Sequence, residues 1–543
     1  MSGAATRDTV TALVAEQAAA RPDAPAVIYQ ERVIGFAELD DMGRRAATGL
    51  AELGVGAGDR VALWLPNAPA YLALWLGCAR LGAIAVAVNT RFRSAEVGDI
   101  VGRSGAKVLA MWPGFRDIDF LAILAEVDAA ALEGLETLIL YDEDGAEHPA
   151  PAQVGHCRRV AFPDLMERPP EAADRATAQA GVNIFTTSGT TSKPKFVLHN
   201  QGGVARHARI VARAFGYAEA GAPLLQFLPF CGVYGFNMST ASIAAGIPMV
   251  LMTAFDVDEA LSLIRRHGVQ HMNGSDDVIH AMLEASPDDV ALPTIRYMGY
   301  ANFNASLADI IERADARGLT LVGLYGMSEV QALFARQSPT APIPERRLGG
   351  GRLVSDQARV RVRDPDSGAL LAHGQQGELE LSGPSLMSGY FENPEATAET
   401  ITEDGFVRTG DLGYTTAENH FVYVSRMGDV LRLGGFLVSP AEIESHLLDH
   451  ASVADVQVVG ASTPNGIRPV GFVTLRPGQP FDEAALIQHC VSGLAKFKAP
   501  LRIIPVEAFP TTQSANGTKI QRGKLREMAE QGLAEAAPRL AGD

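Results

Sequence analysis

Apolar positions in the first 180 residues follow two alternating periods. Residues Phe36–Leu53 carry apolar side chains three and four positions apart, which predicts an amphipathic helix. Arg60–Leu65 and Ala83–Val88 are short apolar runs typical of buried strands, and Ala70–Leu81 between them has helical character. Because helices that alternate with apolar strands cover both faces of a parallel sheet, this pattern predicts an α/β fold.

The alternation recurs further along the chain, for example in a helix at Asp258–His267 and a strand at Val269–Met272. Short strands rich in charge follow at Ala358–Val362 and Gly377–Leu381, which indicates a smaller antiparallel or barrel-like unit. We therefore predict that residues 1–427 form a large N-terminal domain of stacked α/β subdomains plus a β-barrel-like subdomain.

The pattern changes again near Arg426. The run Ser439-Pro440-Ala441-Glu442 is typical of a helix start, with serine at the N-cap, proline in the first turn and glutamate three residues after the cap. Two strands and a helix are expected beyond it, at Val453–Val459, Val470–Leu475 and Glu483–Leu494. We predict that residues 428–543 form a small α+β C-terminal domain, joined to the large domain without a long linker.

The composition places this chain among globular proteins with a large core, because 47% of its 543 residues are hydrophobic and 20% are charged. The formal net charge of −17 argues against a protein that coats nucleic acid or an anionic membrane. A site for an anionic ligand must therefore be a local island of positive charge.

The cysteines stand far apart, at Cys78, Cys157, Cys231 and Cys490. No C-x-x-C pair occurs, so we expect neither a disulfide framework nor a zinc cluster, and a cytoplasmic location fits. His446 and His450 lie four apart without a third ligand nearby, and we expect them on an exposed helix face. Residues 220–255 lack charge over a bilayer length, but prolines and glycines interrupt them, which indicates short buried elements rather than an integral membrane segment.

The run Phe185–Lys195 carries the most informative chemistry, since six of its eleven residues bear hydroxyls and two are lysines. Hydroxyls and backbone amides in a turn bind anions, and lysines add positive charge. The run is not a Walker loop, because G-x-x-x-x-G-K-[ST] occurs nowhere in the chain. A solvated Ser/Thr loop has the same composition, so that alternative stays open at this point.

This run resembles the phosphate-binding signature T-S-G-T-T-G-x-P-K-G of the adenylate-forming superfamily. That superfamily includes acyl-CoA synthetases, aryl-CoA ligases, peptide-synthetase adenylation domains and firefly-type luciferases. The chain has Ser192 and Phe196 at two of the signature's glycine positions. The resemblance implies that ATP is bound by Thr187, Ser188, Gly189, Thr190, Thr191 and Lys195, with Thr190 also near Mg²⁺.

A second segment, Tyr325-Gly326-Met327-Ser328-Glu329, resembles the family's Y-G-x-T-E. The resemblance implies that Tyr325 stacks on adenine, Ser328 bonds the α-phosphate and Glu329 binds Mg²⁺ through its hard oxygens. It also implies that Ser328 and Glu329 take part in catalysis. Gly326 is implied to border both the nucleotide and the acyl group, and Met327 the acyl group.

Two further segments are expected around the nucleoside. Gly299, Tyr300 and Ala301 occupy the place of the family's G-G-A-P backbone beside adenine, where Tyr300 is expected to narrow the space. The T-G-D run that ends at Asp411, together with Arg426, resembles the family's ribose-binding pair. The carboxylate is implied to accept both ribose hydroxyls and the arginine to donate to the same sugar.

The C-terminal run around Lys519 resembles the family's S-G-K-I-x-R, with Lys524 as the alternative if the register differs. Lys519 is implied to be the catalytic cation that aligns the carboxylate with the α-phosphate. Family members rotate the small domain between two half-reactions, which implies a mobile domain with its hinge at Gly428 and Asp429. Residues implied to face coenzyme A after rotation are Arg432, Gly434, Gly435 and Phe436.

The segment 228–235 resembles the family's P-x-F-H-x-x-G stretch beside the acyl group. Cys231 stands where Phe is common and Gly232 where His is common, which predicts room for a medium- or long-chain or aryl acid. The alternative, that the side chain of Tyr234 or Tyr300 fills this space instead, stays open.

Taken together, the resemblance implies a carboxylate–CoA ligase that uses ATP, Mg²⁺ and coenzyme A and releases AMP and pyrophosphate. The acidic charge predicts no nucleic-acid partner. A homodimer is compatible with this expectation. Three alternatives stay open: loading of a carrier protein, a luciferase-like oxidation, and a non-catalytic nucleotide-binding homologue.

Overall fold

The computed structural model describes residues 8–143, 154–171, 173–187, 194–286, 291–301, 307, 309–433, 436–463, 466–494, 496–514 and 517–536. It confirms a mixed α/β fold with a large N-terminal domain and a smaller C-terminal domain. The described helices are α1 (Val10–Ala20), α2 (Phe36–Glu52), α3 (Pro69–Leu81), α4 (Ser94–Ser104), α5 (Phe120–Ala125), α6 (Phe162–Met166), α7 (Gln201–Ala214), α8 (Tyr217–Ala220), α9 (Val233–Ala245), α10 (Val257–His267), α11 (Asp276–Ala285), α12 (Ile310–Asp315), α13 (Ile343–Arg346), α14 (Pro394–Thr400), α15 (Pro440–Leu448), α16 (Glu483–Gly493) and α17 (Arg522–Ala536).

The described strands of the large domain are β1 (Pro25–Tyr29), β2 (Arg32–Gly35), β3 (Arg60–Trp64), β4 (Ile84–Ala87), β5 (Val108–Met111), β6 (Thr137–Leu140), β7 (Arg158–Ala161), β8 (Gly181–Thr186), β9 (Phe196–Asn200), β10 (Leu224–Gln226), β11 (Met249–Leu251), β12 (His271–Ser275), β13 (Tyr297–Ala301), β14 (Leu321–Tyr325), β15 (Ala335–Arg336), β16 (Gly350–Leu353), β17 (Arg359–Arg363), β18 (Gly377–Ser382), β19 (Gly389–Tyr390), β20 (Val407–Ala417) and β21 (His420–Arg426). Those of the small domain are β22 (Leu431–Leu433), β23 (Phe436–Val438), β24 (Val453–Thr463), β25 (Gly466–Leu475), β26 (Arg502–Pro505), β27 (Thr511–Ser514) and β28 (Gly517–Ile520).

One sheet of the large domain has the strand order β19-β9-β8-β4-β3-β5-β6-β7. The strands from β8 to β7 pair in parallel, whereas β9 is antiparallel to β8, and β19 is antiparallel to β9. Every residue of α3 is buried, because this apolar helix lies between packed layers rather than on the surface. The sheet thus places β9 between β8 and the edge strand β19.

Thirteen described strands form the second sheet, in the order β17-β18-β20-β21-β16-β15-β14-β13-β12-β10-β11-β1-β2. Its parallel part includes β10 to β14, and β14 then pairs antiparallel with β15. The strands predicted from the charge-rich segments are β17 and β18, and their antiparallel pairing is confirmed. They extend this sheet through β20, β21 and β16.

The uncharged stretch 220–255 folds into β10, α9 and β11, as the interrupted apolar pattern predicted. Among the described residues, no helix combines the length and the apolar character needed to cross a bilayer. The four cysteines are free thiols.

The small domain packs around the antiparallel pair β24–β25, to which β26 adds in parallel. Among the described residues, the hydrophobic clusters of this domain contain side chains from Leu431 onward, which supports a separately packed unit. Ser439 stands at the N-cap of α15 as predicted, but its side chain makes no capping hydrogen bond. The predicted helix start is confirmed, and Glu442 in the first turn pairs with Lys498.

The prediction that His446 and His450 lie on an exposed helix face is wrong. Both side chains are half-buried, and the His446 ring stacks on His489 with centroids 4.4 Å apart. The reason is that α16 packs across this face of α15, so histidines separated in sequence meet between the two helices.

Candidate active site

The Ser/Thr-rich run lies in sequence between the antiparallel strands β8 and β9. Its described ends lie together, because the Thr187 amide donates to the Lys195 carbonyl at 3.0 Å. The predicted ATP-binding residues Ser188, Gly189, Thr190 and Thr191 lie outside the described residues, so their roles stay predictions. The Lys195 ammonium lies 4.7 Å from the centroid of the Tyr390 ring.

The segment Tyr325–Glu329 begins at the carboxyl end of β14 and continues into a short 3₁₀ turn. Gly326 is required here, since a Cβ at this position would lie 2.5 Å from the Ala332 Cα. Residues 331–333 all have positive φ although none is glycine, which marks a strained backbone beside the segment. Gly326 is exposed, whereas Met327 and Ser328 are half-buried, so this turn borders open space.

The structure brings Tyr325 together with the predicted ribose-binding pair. The Tyr325 hydroxyl donates to Asp411 Oδ2 at 2.5 Å, and Asp411 faces Arg426 across the β20–β21 pair. Arg426 Nη1 lies 3.1 Å from Asp411 Oδ1 and donates to the Thr409 carbonyl at 3.2 Å. Three residues predicted from three separate motifs therefore form one contact network.

Asp411 is buried and has an unusual protonation equilibrium. Burial raises the pKa of its carboxyl to about 6, although Arg426 and the Tyr325 hydroxyl favour the ionised form. Burial also raises the pKa of the Tyr325 hydroxyl, so it stays a donor at neutral pH. Asp411 Oδ1 accepts no hydrogen bond from the described residues, so it retains acceptor capacity for a sugar hydroxyl.

Glu329 and Ser328 are held by side chains that the motifs did not indicate. The Tyr390 hydroxyl donates to Glu329 Oε1 at 2.9 Å, and His199 Nε2 donates to the Ser328 carbonyl at 2.8 Å. Burial lowers the pKa of His199 to about 4, so the ring is neutral. His199 lies on β9 just after the loop, a position that could have marked it. Tyr390 is distant in sequence and reaches the site only because β19 pairs with β9.

Glu329 has the chemistry for a hard cation. Among the described residues, no hydrogen-bond donor or ion-pair partner contacts its Oε2. The described part of the chain contains no cluster of three or more His, Cys, Asp or Glu side chains that could hold a metal alone. Because Mg²⁺ is usually bound by one or two carboxylates together with substrate phosphates, this donor set fits a magnesium ion that arrives with a nucleotide.

The predicted adenine strand and acyl segment meet at Gly299. The Tyr234 hydroxyl donates to the Gly299 carbonyl at 3.5 Å, and the Gly299 amide donates to Asn273 Oδ1 at 2.9 Å. A Cβ on Gly299 would lie 2.6 Å from that oxygen, which explains the glycine. The buried Tyr300 donates instead to the Arg347 carbonyl at 3.4 Å, and Ala301 is half-buried at the end of β13.

Cys231 and Gly232 precede α9, with Gly232 as its N-cap residue. Burial raises the pKa of the Cys231 thiol to about 12, so it is a neutral side chain rather than a nucleophile. The buried Tyr234 follows in the first turn of α9. These positions are compatible with a wall of the predicted acyl pocket.

The predicted C-terminal residues are described in part. Lys519 lies on β28 opposite Thr512, and Lys524 is exposed on α17. Gly434 and Gly435 lie outside the described residues, between the paired strands β22 and β23 that contain Arg432 and Phe436. Catalysis by Lys519 and contact with coenzyme A therefore stay predictions.

The predicted hinge lies in a turn between the domains. The Asp429 amide donates to the Arg426 carbonyl at 3.0 Å, and Arg526 Nη2 donates to the Gly428 carbonyl at 3.1 Å. A Cβ on Gly428 would meet no atom of the described residues within 4 Å. The turn therefore has steric freedom, as a hinge requires.

Comparison with known proteins places these features in context. The chain is 30% identical over 510 residues to 4-coumarate–CoA ligase 5 of Oryza sativa subsp. japonica, covering 92% of this chain and 90% of that ligase. Its fold is similar to that of ATP-bound MatB from Rhodopseudomonas palustris, with a TM-score of 0.82, 26% identity and coverage of 96% and 99% of the two chains. It is also similar to O-succinylbenzoate coenzyme A synthetase (MenE) from Bacillus subtilis with ATP and magnesium ion, with a TM-score of 0.78, 25% identity and coverage of 94% and 98%.

Two family models divide the chain between them. Residues 14–391 match the model for AMP-binding enzymes, and residues 442–516 match that for the AMP-binding enzyme C-terminal domain. The fold, the site and the relatives define an AMP-forming acid–thiol ligase. The chain belongs to the adenylate-forming superfamily, which confirms the resemblance found in its motifs.

Proposed function

We propose that this protein is a carboxylate–CoA ligase that uses ATP and Mg²⁺ to activate a medium- or long-chain or aryl acid. The observation that carries the proposal is the contact network of Tyr325, Asp411 and Arg426, beside which Glu329 presents a free carboxylate oxygen. Residues from three separated segments thereby offer groups suited to a nucleoside, a phosphate chain and a hard cation.

In the first half-reaction a carboxylate oxygen attacks the α-phosphorus of ATP, and pyrophosphate leaves. The product is an acyl-adenylate, whose AMP is a far better leaving group than the oxygen of a free carboxylate. The protein mainly positions the reactants and offsets charge, as in other phosphoryl-transfer enzymes. Asp411 and Arg426 hold the ribose, Ser328 and Lys195 bond phosphate oxygens, and Lys519 aligns the two reacting groups.

When bound, Mg²⁺ neutralises phosphate charge, and Glu329 is the residue that would hold it. In the second half-reaction the thiol of coenzyme A attacks the acyl carbon and AMP leaves. Rotation of residues 428–543 about the turn at Gly428 and Asp429 exchanges Lys519 for the segment 432–436 at the site.

The choice of acid rests on Cys231 and Gly232, two small residues ahead of α9. Small side chains leave room for a large acyl group, and the rice relative is named for an aryl acid. Tyr234 follows them in the first turn of α9, and its hydroxyl donates to the Gly299 carbonyl at 3.5 Å. The sizes of the acids that the protein accepts are therefore proposed to depend on these three positions.

The direct test is a panel of carboxylic acids incubated with ATP and Mg²⁺, with and without coenzyme A, followed by AMP release and mass spectrometry of the product. An acyl-CoA is the expected product. A covalent adduct formed only on an added carrier protein would favour the carrier-loading alternative, light emission with oxygen would favour a luciferase-like oxidation, and nucleotide binding without turnover would favour a non-catalytic homologue.

A further inference from the structure

Tyr390 contacts two charged residues that come from different segments of the site. Its hydroxyl donates to Glu329 Oε1 at 2.9 Å, and its ring lies 4.7 Å from the Lys195 ammonium. Lys195 directly precedes β9, and Glu329 lies in the turn after β14, so the tyrosine bridges the two sheets of the large domain. Neither contact was indicated by the motifs.

The backbone around Tyr390 fixes the ring between these partners. Tyr390 pairs with Val197 across β19 and β9, and its amide donates to Thr397 Oγ1 at 2.9 Å. The Met387 amide donates to the Glu329 carbonyl at 2.8 Å, which ties the same segment to the acidic residue a second time. The Tyr390 backbone is fixed by its pairing in β19, and the neighbouring Met387 is tied to the Glu329 backbone. The Tyr390 side chain therefore has little freedom to move away from Glu329.

The hydroxyl is suited to orient a carboxylate. Tyr390 is buried, and its hydroxyl is the donor of the 2.9 Å hydrogen bond to Glu329 Oε1. By holding Oε1, the hydroxyl restricts rotation of the Glu329 carboxylate, and Oε2 accepts no hydrogen bond from the residues that the structure describes. A carboxylate oxygen held in a fixed direction suits a cation that is bound by one or two carboxylates together with substrate phosphates.

The ring has a separate effect on Lys195. An ammonium over an aromatic face is attracted by the ring quadrupole, so it is held in place without pairing with a carboxylate. Among the described residues, Lys195 and Glu329 form no ion pair, although both contact the same tyrosine. The ring thus keeps the cation and the anion apart, so that both stay available to a phosphate chain and its metal.

We propose that Tyr390 is a positioning residue of the nucleotide site, whose hydroxyl aims Glu329 at the metal of metal–ATP and whose ring holds Lys195 for the phosphates. The inference rests on the proposed function, because it assigns metal–ATP to this site. It adds a residue from β19 that contacts both Lys195 and Glu329.

The test compares two substitutions at Tyr390, with Mn²⁺ as the probe. Tyr390→Phe removes the hydroxyl and keeps the ring, whereas Tyr390→Leu removes both. Tyr141→Phe is the matched control, because the Tyr141 hydroxyl donates to Glu143 Oε1 at 2.8 Å on the far side of the same sheet, four strands from β8. Electron paramagnetic resonance measures Mn²⁺ binding in the presence of ATP, and calorimetry measures ATP binding with and without metal.

We expect Tyr390→Phe to weaken Mn²⁺ binding in the ATP complex about tenfold, the size of one lost hydrogen bond to a charged group, while metal-free ATP binding stays unchanged. Tyr390→Leu is expected to weaken metal-free ATP binding as well, and Tyr141→Phe to change neither. In a Glu329→Gln background, Tyr390→Phe is expected to cause no further loss of Mn²⁺ affinity.

Wild-type Mn²⁺ affinity in folded Tyr390→Phe, or an equal loss with and without Glu329, would overturn the role of Tyr390. A wild-type protein that binds Mn²⁺–ATP yet releases no AMP with any acid would overturn the proposed function, while the comparison at Tyr390 would still decide the positioning role. A wild-type protein that binds no Mn²⁺–ATP would overturn both.

Discussion

The buried carboxylate of Asp411 makes nucleotide binding sensitive to pH near 6. Burial raises its pKa to about 6, above the ordinary value of 3.8, so the carboxyl is largely ionised at pH 7.5 and largely protonated at pH 5. An ionised carboxylate can accept both ribose hydroxyls, whereas a protonated one has lost part of its acceptor capacity. Affinity for a nucleoside should therefore fall as the pH drops through 6.

We predict that lowering the pH from 7.5 to 5 weakens AMP binding more in the wild type than in Asp411→Asn, and that the substitution itself weakens binding about 10- to 100-fold at pH 7.5. Calorimetric titration of both proteins measures this difference. The phosphate of AMP titrates in the same range, but its effect is common to the two proteins and cancels. Parallel pH profiles would contradict the assignment of Asp411 to the ribose.

Gly232 offers a test of the acyl pocket by a single side chain. Its φ of −105° is open to any residue, so histidine can be introduced without backbone strain. We predict that Gly232→His lowers kcat/KM for large acids by more than tenfold while acetate is affected less, because the imidazole fills the space beside Cys231. An unchanged preference across chain lengths would show that this position does not border the acyl group.

At the scale of elements, the sequence predicted those strands and helices whose apolar pattern is decided locally. β3, α3 and β4 begin and end within about one residue of the apolar runs that predicted them. The antiparallel pairing of β19 with β9 could not be predicted, because it joins segments far apart in the chain and has no local signal. Tyr390 was missed for that reason, and the stacking of His446 on His489 depends likewise on the packing of α16 against α15.

The candidate site divides in the same way. Tyr325, Asp411 and Arg426 were each predicted from a motif, and the structure adds that they contact one another. Their contacts depend on the register of β20 against β21 and on the position of β14, which no motif encodes. The raised pKa of Asp411 also follows from burial, which is a property of the assembled domain.

The turn at Gly428 permits a prediction at the same scale. A Cβ there meets no atom of the described residues within 4 Å, so Gly428→Ala should retain both half-reactions and serves as the control. Gly428→Pro fixes φ and is predicted to reduce thioester formation at least tenfold more than adenylate formation, because only the second step needs the rotated domain. Rapid-quench measurement of acyl-adenylate and acyl-CoA separates the steps, and equal loss of both would refute the hinge.

At the scale of the whole molecule, we propose that the nucleotide site of this acidic chain draws on a few positive groups from both domains. The net charge is −17, yet Lys195 and Arg426 of the large domain and Lys519 of the small domain are all assigned to the nucleotide site. Because the cations are divided between two domains, we propose that the site is complete for adenylation only when residues 428–543 close over it. Lys519 is then needed for chemistry more than for nucleotide binding.

Adenylate formation with Lys519 as the catalytic cation is tested most directly by carboxylate-dependent exchange of labelled pyrophosphate into ATP. The exchange is measured without coenzyme A on wild type and Lys519→Ala. We predict that the wild type catalyses exchange with at least one large or aryl acid. In Lys519→Ala, we predict that the exchange rate falls more than about 100-fold while ATP affinity changes by less than about tenfold. Exchange that persists undiminished in Lys519→Ala, or no exchange with any acid of a broad panel, would contradict these predictions.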